Sequence, residues 1–111
     1  MQKDRIVRIN DNLKKEISIF IQNSNLSERC GLLTINHVDA SRDLSKAKVF
    51  FSSINAPLGN KDLQDYLNEN SWLIRKELSN SLPFKRVPEL RFFYDEHLEN
   101  VRELNSLIND I

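Results

Sequence analysis

Two glycines, three prolines, one cysteine and one tryptophan are all that this 111-residue chain holds of those types, and the scarcities close off whole classes of function. Gly31 and Gly59 lie in separate segments. A Walker loop or a dinucleotide fingerprint needs several closely spaced glycines where backbone approaches phosphate, so neither can form. Cys30 has no second thiol for a disulfide or a metal knuckle, and it is expected as a small, semi-buried filler. His37 and His97 fall in different segments with no further histidine or cysteine at a ligand spacing, so no metal site is expected. Serines are plentiful, yet none sits in a nucleophile elbow. No apolar run approaches the thickness of a bilayer, and the start MQKDRIVRINDNLKKE carries charges where a secretory signal needs an unbroken apolar stretch. The expectation is a cytoplasmic, non-enzymatic protein with no cofactor and no membrane partner.

What is present is an ordinary globular balance, 40% apolar and 29% charged residues, in a length that suits one core and one domain spanning residues 1–111. From Asp4 to Gln22, Ile6, Ile9, Leu13, Ile17, Phe20 and Ile21 recur with the spacing of one helical stripe. Residues 23–31 have no period and end in glycine, which predicts a loop. Leu32–Val38 and Lys46–Ile54 alternate and are rich in β-branched and aromatic residues, predicting two strands joined by a turn over residues 39–45. In the second strand Ala47, Val49 and Phe51 share the prospective core face, opposite Lys46, Lys48 and Phe50. A long helix carries Leu63, Leu67, Asn70, Ile74 and Leu78; Asn70 interrupts its stripe, consistent with a bend or with a polar side chain at the core edge. Pro83 ends it. Val87–Tyr94 predicts a third strand, and Leu98, Val101, Leu104 or Asn105, Ile108 and Ile111 a last helix. Glu96, Glu99 and Glu103 on that helix could gather about a divalent cation, but hard cations usually want loop oxygens as well, so a solvated acidic face is expected.

The zero net charge hides an uneven distribution. Residues 1–91 hold fifteen lysines and arginines against eleven acids, whereas residues 92–111 hold Arg102 against five acids. The expectation is a body of charge +4 that meets RNA and a last helix of −4 that points away from it. Clusters able to neutralise phosphates are Arg5, Arg8 and Lys15 in the first helix, Arg42, Lys46 and Lys48 about the hairpin, and Arg75, Lys76, Lys85 and Arg86 beyond it. Phe50, Phe51, Phe92, Phe93 and Tyr94 lie on strands; some could stack bases, but about half must build the core.

Three stretches, taken in order, resemble the bacterial ribosome-binding factor A family: Arg8–Ile17, the run HVDASRDLSKAKVFFS from His37 to Ser52, and Leu73–Leu78 followed by RVPELRFFYD from Arg86 to Asp95. The resemblance implies an α+β, type II KH-like single domain in the order α-β-β-α(kinked)-β-α. Its three-stranded sheet is backed by helices, and a kink in the long helix replaces the usual Gly-x-x-Gly loop. It further implies a factor that binds the free small (30S) ribosomal subunit and its ribosomal RNA and assists late rRNA maturation, especially in the cold. A monomer is expected, with other assembly factors as further partners. Two departures stand out. Asn70-Ser71-Trp72 occupies the positions where the family has Ala-x-Gly, and Ser27-Glu-Arg-Cys-Gly31 occupies those of its Asp-Pro-Arg-Leu-Gly loop. The competing expectation is a protein-interaction module, a small dimer that docks through exposed aromatics and the acidic last helix.

Overall fold

The computed structural model describes residues 2–81 and 87–95, with side chains from Arg5 onward. The expected last helix, the stop at Pro83, and the residues Lys85, Arg86, Glu96, His97, Glu99 and Glu103 lie outside the described residues.

The chain runs through α1 (Gln2–Asn23), α2 (Ser27–Cys30), β1 (Leu32–Ala40), β2 (Lys46–Ile54), α3 (Asn60–Glu69), α4 (Ser71–Ser81) and β3 (Glu89–Tyr94). The strands form one mixed sheet in the order β1-β2-β3, with β1 antiparallel and β3 parallel to β2. The helices α1, α3 and α4 pack against it, as the α+β, type II KH-like reading implies.

One-sided burial explains each element. The stripe of α1 delivers Ile9, Leu13, Ile17 and Ile21 to the core, each worth about 1.5–3 kcal/mol relative to an exposed side chain. Facing them from the sheet are Ile35, Val38, Ala47, Val49, Phe51, Leu90 and Phe92, and from the long helical segment Leu63, Leu67, Ile74 and Leu78. Among the described residues side chains bond backbone groups on both sheet edges, one on β1 and three on β3. On β1 the Ala40 N–H donates to Asn10 Oδ1 (2.9 Å). On β3 the Phe92 N–H donates to Asn68 Oδ1 (2.7 Å) while Asn68 Nδ2 donates to Phe92 O (3.0 Å), and the Tyr94 N–H donates to Gln64 Oε1 (2.8 Å). An edge strand otherwise presents its backbone groups to any passing strand.

Four local features differ from the sequence expectation. The 23–31 loop contains the short helix α2, too brief to carry a period. β1 continues to Ala40, and β3 starts at Glu89 rather than Val87. Asn36 is an extra residue in β1: the register slips between Ile35 and His37, so Ile35 and Val38, an odd number of positions apart, both face the core. Its amide donates to Ser52 Oγ (3.2 Å) and to Asp95 Oδ2 (3.1 Å), linking the middle of β1 to β2 and to the residue that follows β3.

The hairpin turn explains the Ser41-Arg-Asp-Leu-Ser45 motif as architecture. Leu44 takes a left-handed conformation (φ 59°), which costs a non-glycine residue about 1–2 kcal/mol, and its side chain packs on the core in return. Asp43 Oδ1 accepts from Ser41 Oγ (2.7 Å), Ser45 Oγ (2.8 Å) and the Ser45 N–H (3.1 Å). These bonds, the Ser41 hydroxyl's first and then those from Ser45, lower the Asp43 pKa from its ordinary 3.8 to about 2. A carboxylate whose pKa is lowered by folding supports the fold above its unfolded value and loses that support as pH falls through the folded one. The turn should therefore hold down to about pH 4 and loosen between there and about pH 2. A carboxyl-carbon NMR titration should give a midpoint near 2, and Ser41→Ala should move it upward. A midpoint near the ordinary value in the unmodified chain would show that the turn is not held this way.

Candidate RNA interface

The helical segment between the hairpin and β3 breaks at Asn70 without help from glycine. Asn70 keeps a negative φ (−101°), its Nδ2 donates to Tyr66 O (2.8 Å), and Ser71 Oγ donates to Asn68 O (2.9 Å). The Asn70 N–H also donates to Tyr66 O (3.2 Å), so the two side chains reinforce carbonyls at the end of α3. The Leu73 and Ile74 N–H groups then donate to Asn70 O (3.1 and 3.2 Å), restarting the ladder as α4. The bend that Asn70 left open is present, built from polar side chains.

Beyond the break, Trp72, Arg75, Lys76 and Ser79 stand at i, i+3, i+4 and i+7 on α4, one face of the helix. They form the wall of a groove of about 520 Å³, closed on its other side by Val87, Glu89 and Leu90 of the β3 segment. Arg75 Nε donates to Val87 O (3.1 Å), which fixes the guanidinium at the groove and leaves its remaining donors for a partner. Lys76 is exposed, and Trp72 is 64% exposed although the other large aromatics among the described residues are at least half-buried.

The parallel pairing of β2 and β3 brings the groove to the hairpin. Lys46 is the register partner of Glu89, and the Glu89 N–H donates to Ser45 O (2.9 Å). Arg42 is exposed in the turn next to Lys46. The Asn10–Ala40 bond holds the first half of α1, with exposed Arg5 and Arg8, toward the same end of the sheet. The fold therefore gathers Arg5, Arg8, Arg42, Lys46, Arg75 and Lys76 around one end of the molecule. Lys48 lies one step along the open sheet face, paired in register with Arg91 and with Asp39. Lys15 is exposed on α1 more than a turn past Asn10, away from the others. This end is not uniformly positive, since Asp43 and Glu89 stand among the cations.

The strand aromatics divide as the alternation requires. Phe51 and Phe92 are core, and Tyr94 meets Phe51 edge-on (5.9 Å, 78°). His37, Phe50 and Phe93 form a half-open row across the other face, with ring centroids 5.9 and 5.7 Å apart. Among the described residues the most exposed large aromatic is Trp72, which sequence reasoning did not count with the strand aromatics; its i+3 and i+4 cations were the available signal. Cys30 is buried, which pushes its thiol pKa up and makes it a poor nucleophile. Among the described residues no group of histidine, cysteine and acidic side chains could hold a metal ion, and no helix is long and apolar enough to cross a membrane.

A family model described as ribosome-binding factor A matches residues 5–108. The chain is 37% identical over 111 residues to the ribosome-binding factor A of Stutzerimonas stutzeri, covering 94% of this chain and 83% of that one. It is 30% identical over 106 residues to the protein of that name from Nitrosomonas europaea, covering 96% and 91%. The crystal structure of ribosome-binding factor A from Thermus thermophilus superposes with a TM-score of 0.71 at 22% identity, covering 80% of this chain and 93% of that one. A Thermus thermophilus homology model fitted into a cryo-EM map of a complex between the 30S subunit and ribosome-binding factor A superposes at 0.55, with 22% identity over 79% and 88% of the two chains.

Proposed function

Because the chain belongs to the ribosome-binding factor A family, we propose that it is a non-catalytic assembly factor that binds the free small ribosomal subunit through its ribosomal RNA. In this reading it assists late rRNA maturation, above all in the cold, and works in the cytoplasm as a monomeric KH-like domain beside other assembly factors. The observation that carries the RNA assignment is the gathering of Arg42, Lys46, Arg75 and Lys76 about one groove, with Arg5 and Arg8 toward the same end. That a relative of the same fold has been fitted into a 30S complex supports it. Lys48 extends the same positive face, whereas Lys15 stands apart on α1, and Lys85, Arg86 and the acidic terminal residues lie outside the described residues.

The mechanism asks for no bond chemistry. Lysines and arginines replace the counterions of clustered phosphates, and the released ions supply much of the binding free energy. Phosphate contacts orient the protein without reading sequence; selectivity then rests on the shape of the folded RNA. In a ribosome gradient the chain should travel with free small subunits and leave them as salt is raised. Its absence from that fraction at low salt, while free subunits are present, would overturn the reading.

A further inference from the structure

We infer that Trp72 is a stacking platform for one unpaired base of the bound RNA, with Lys76 and Arg75 holding the adjoining phosphate. The inference rests on the RNA-binding reading and narrows its ligand to an unpaired nucleotide. An indole left 64% exposed is unusual, because its large apolar surface gains much from burial, and nothing in the described part of the chain covers it. It stands at the mouth of the groove, one turn before Arg75 and Lys76 on the same helix face. An aromatic plane next to two cations suits a nucleotide, whose base offers a π-face and whose phosphate offers charge. A paired helix cannot use the plane, since its bases are already stacked on one another. Val87 and Leu90, almost wholly buried, line the groove's far side, so the apolar surface open to a base there is chiefly the indole's own. Asn70 and Ser71 make the break by hydrogen bonds, so the position after them has no need of glycine and is free to carry a side chain that binds.

Trp72 is the chain's one tryptophan, so its emission reports on this place alone. The full chain would be titrated with a short single-stranded oligoribonucleotide of mixed sequence and with a blunt-ended, fully paired RNA duplex. Binding is followed independently by the anisotropy of a dye on the RNA. The single strand should quench the indole as it binds, and the duplex should bind with little quenching. Trp72→Ala should weaken single-strand binding about tenfold and duplex binding far less, Trp72→Phe should restore most of the loss, and neither should shift the melting temperature. Anisotropy showing single-strand binding without quenching, or an unchanged affinity in Trp72→Ala, overturns the stacking role and leaves the RNA-binding reading standing. Failure of both RNAs to bind overturns both.

Discussion

Exchanging Arg42, Lys46 and Lys76 for glutamate together should lower affinity for the small subunit by at least about a hundredfold and flatten its dependence on salt. The three come from the hairpin turn, the start of β2 and α4, which only the β2–β3 pairing brings to one end of the molecule. If each meets one phosphate, the slope of log affinity against log salt loses about 0.9 per contact, or roughly three units for the set. Reversal adds repulsion to that loss. Arg75 is left intact because its Nε holds Val87 O, and a variant there would confuse binding with folding. The three chosen side chains are exposed, so the variant should melt with the unmodified chain. Lys15→Glu serves as the contrast, since Lys15 stands apart on α1 and its reversal should cost severalfold at most. Affinity measured by co-sedimentation at several salt concentrations checks both. Equal losses from the triple variant and from Lys15→Glu would mean that a diffuse field, not this end of the molecule, binds RNA.

How much of this was legible in the sequence depended on whether burial was local and one-sided. The α1 stripe and the two faces of β2 could be read because each has an unbroken period, with Ile9, Leu13 and Ile17 or Ala47, Val49 and Phe51 all reaching the core. β1 could not be read so cleanly, because the bulge at Asn36 inserts one residue and shifts parity between Ile35 and Val38. Asn70 left two outcomes open, since a polar residue in an apolar stripe looks the same whether it bends the helix or borders the core. The side-chain bonds that chose the bend, to Tyr66 O from Asn70 and to Asn68 O from Ser71, span only three or four residues but depend on the backbone they help to shape. For the candidate site, the charges of Arg42, Lys46, Arg75 and Lys76 were visible and their grouping was not. Grouping needs a parallel crossover that carries Glu89 back against Ser45, a contact without local signature. The exposure of Trp72 was not legible for a related reason: whether a helix residue is covered depends on elements far away in the chain.

Gly31→Ala should cost at least about 3 kcal/mol of stability, or roughly 15 °C in melting temperature, without changing RNA affinity per folded molecule. Gly31 joins α2 to β1 with φ 61° and ψ −143°, a region that side-chain-bearing residues rarely enter. A Cβ there would stand 2.5 Å from Ile54 O and 2.7 Å from Ala56 N. Both obstacles are backbone, so relief requires parting the chain at Gly31 from the end of β2, where Leu32 pairs with Ile54 and where Ser53 Oγ donates to Cys30 O. That explains why glycine stands in the Ser27-Glu-Arg-Cys-Gly31 loop, which keeps the family's arginine and glycine but loses its proline. Gly59 supplies the control. It precedes α3 with φ −65°, and nothing lies within 4 Å of a Cβ built on it. Gly59→Ala should leave stability within about 0.5 kcal/mol, because the entropy it removes from the unfolded chain offsets the slightly poorer cap. The pair also separates architecture from function. Gly31 sits at the opposite end of the β1–β2 ladder from the hairpin turn, so thermal melting should register the change while RNA titration of the remaining folded protein does not. Melting temperatures alike in the two variants would refute the close approach at Gly31, and a loss of affinity in folded Gly31→Ala would move the RNA interface to the wrong end of the sheet.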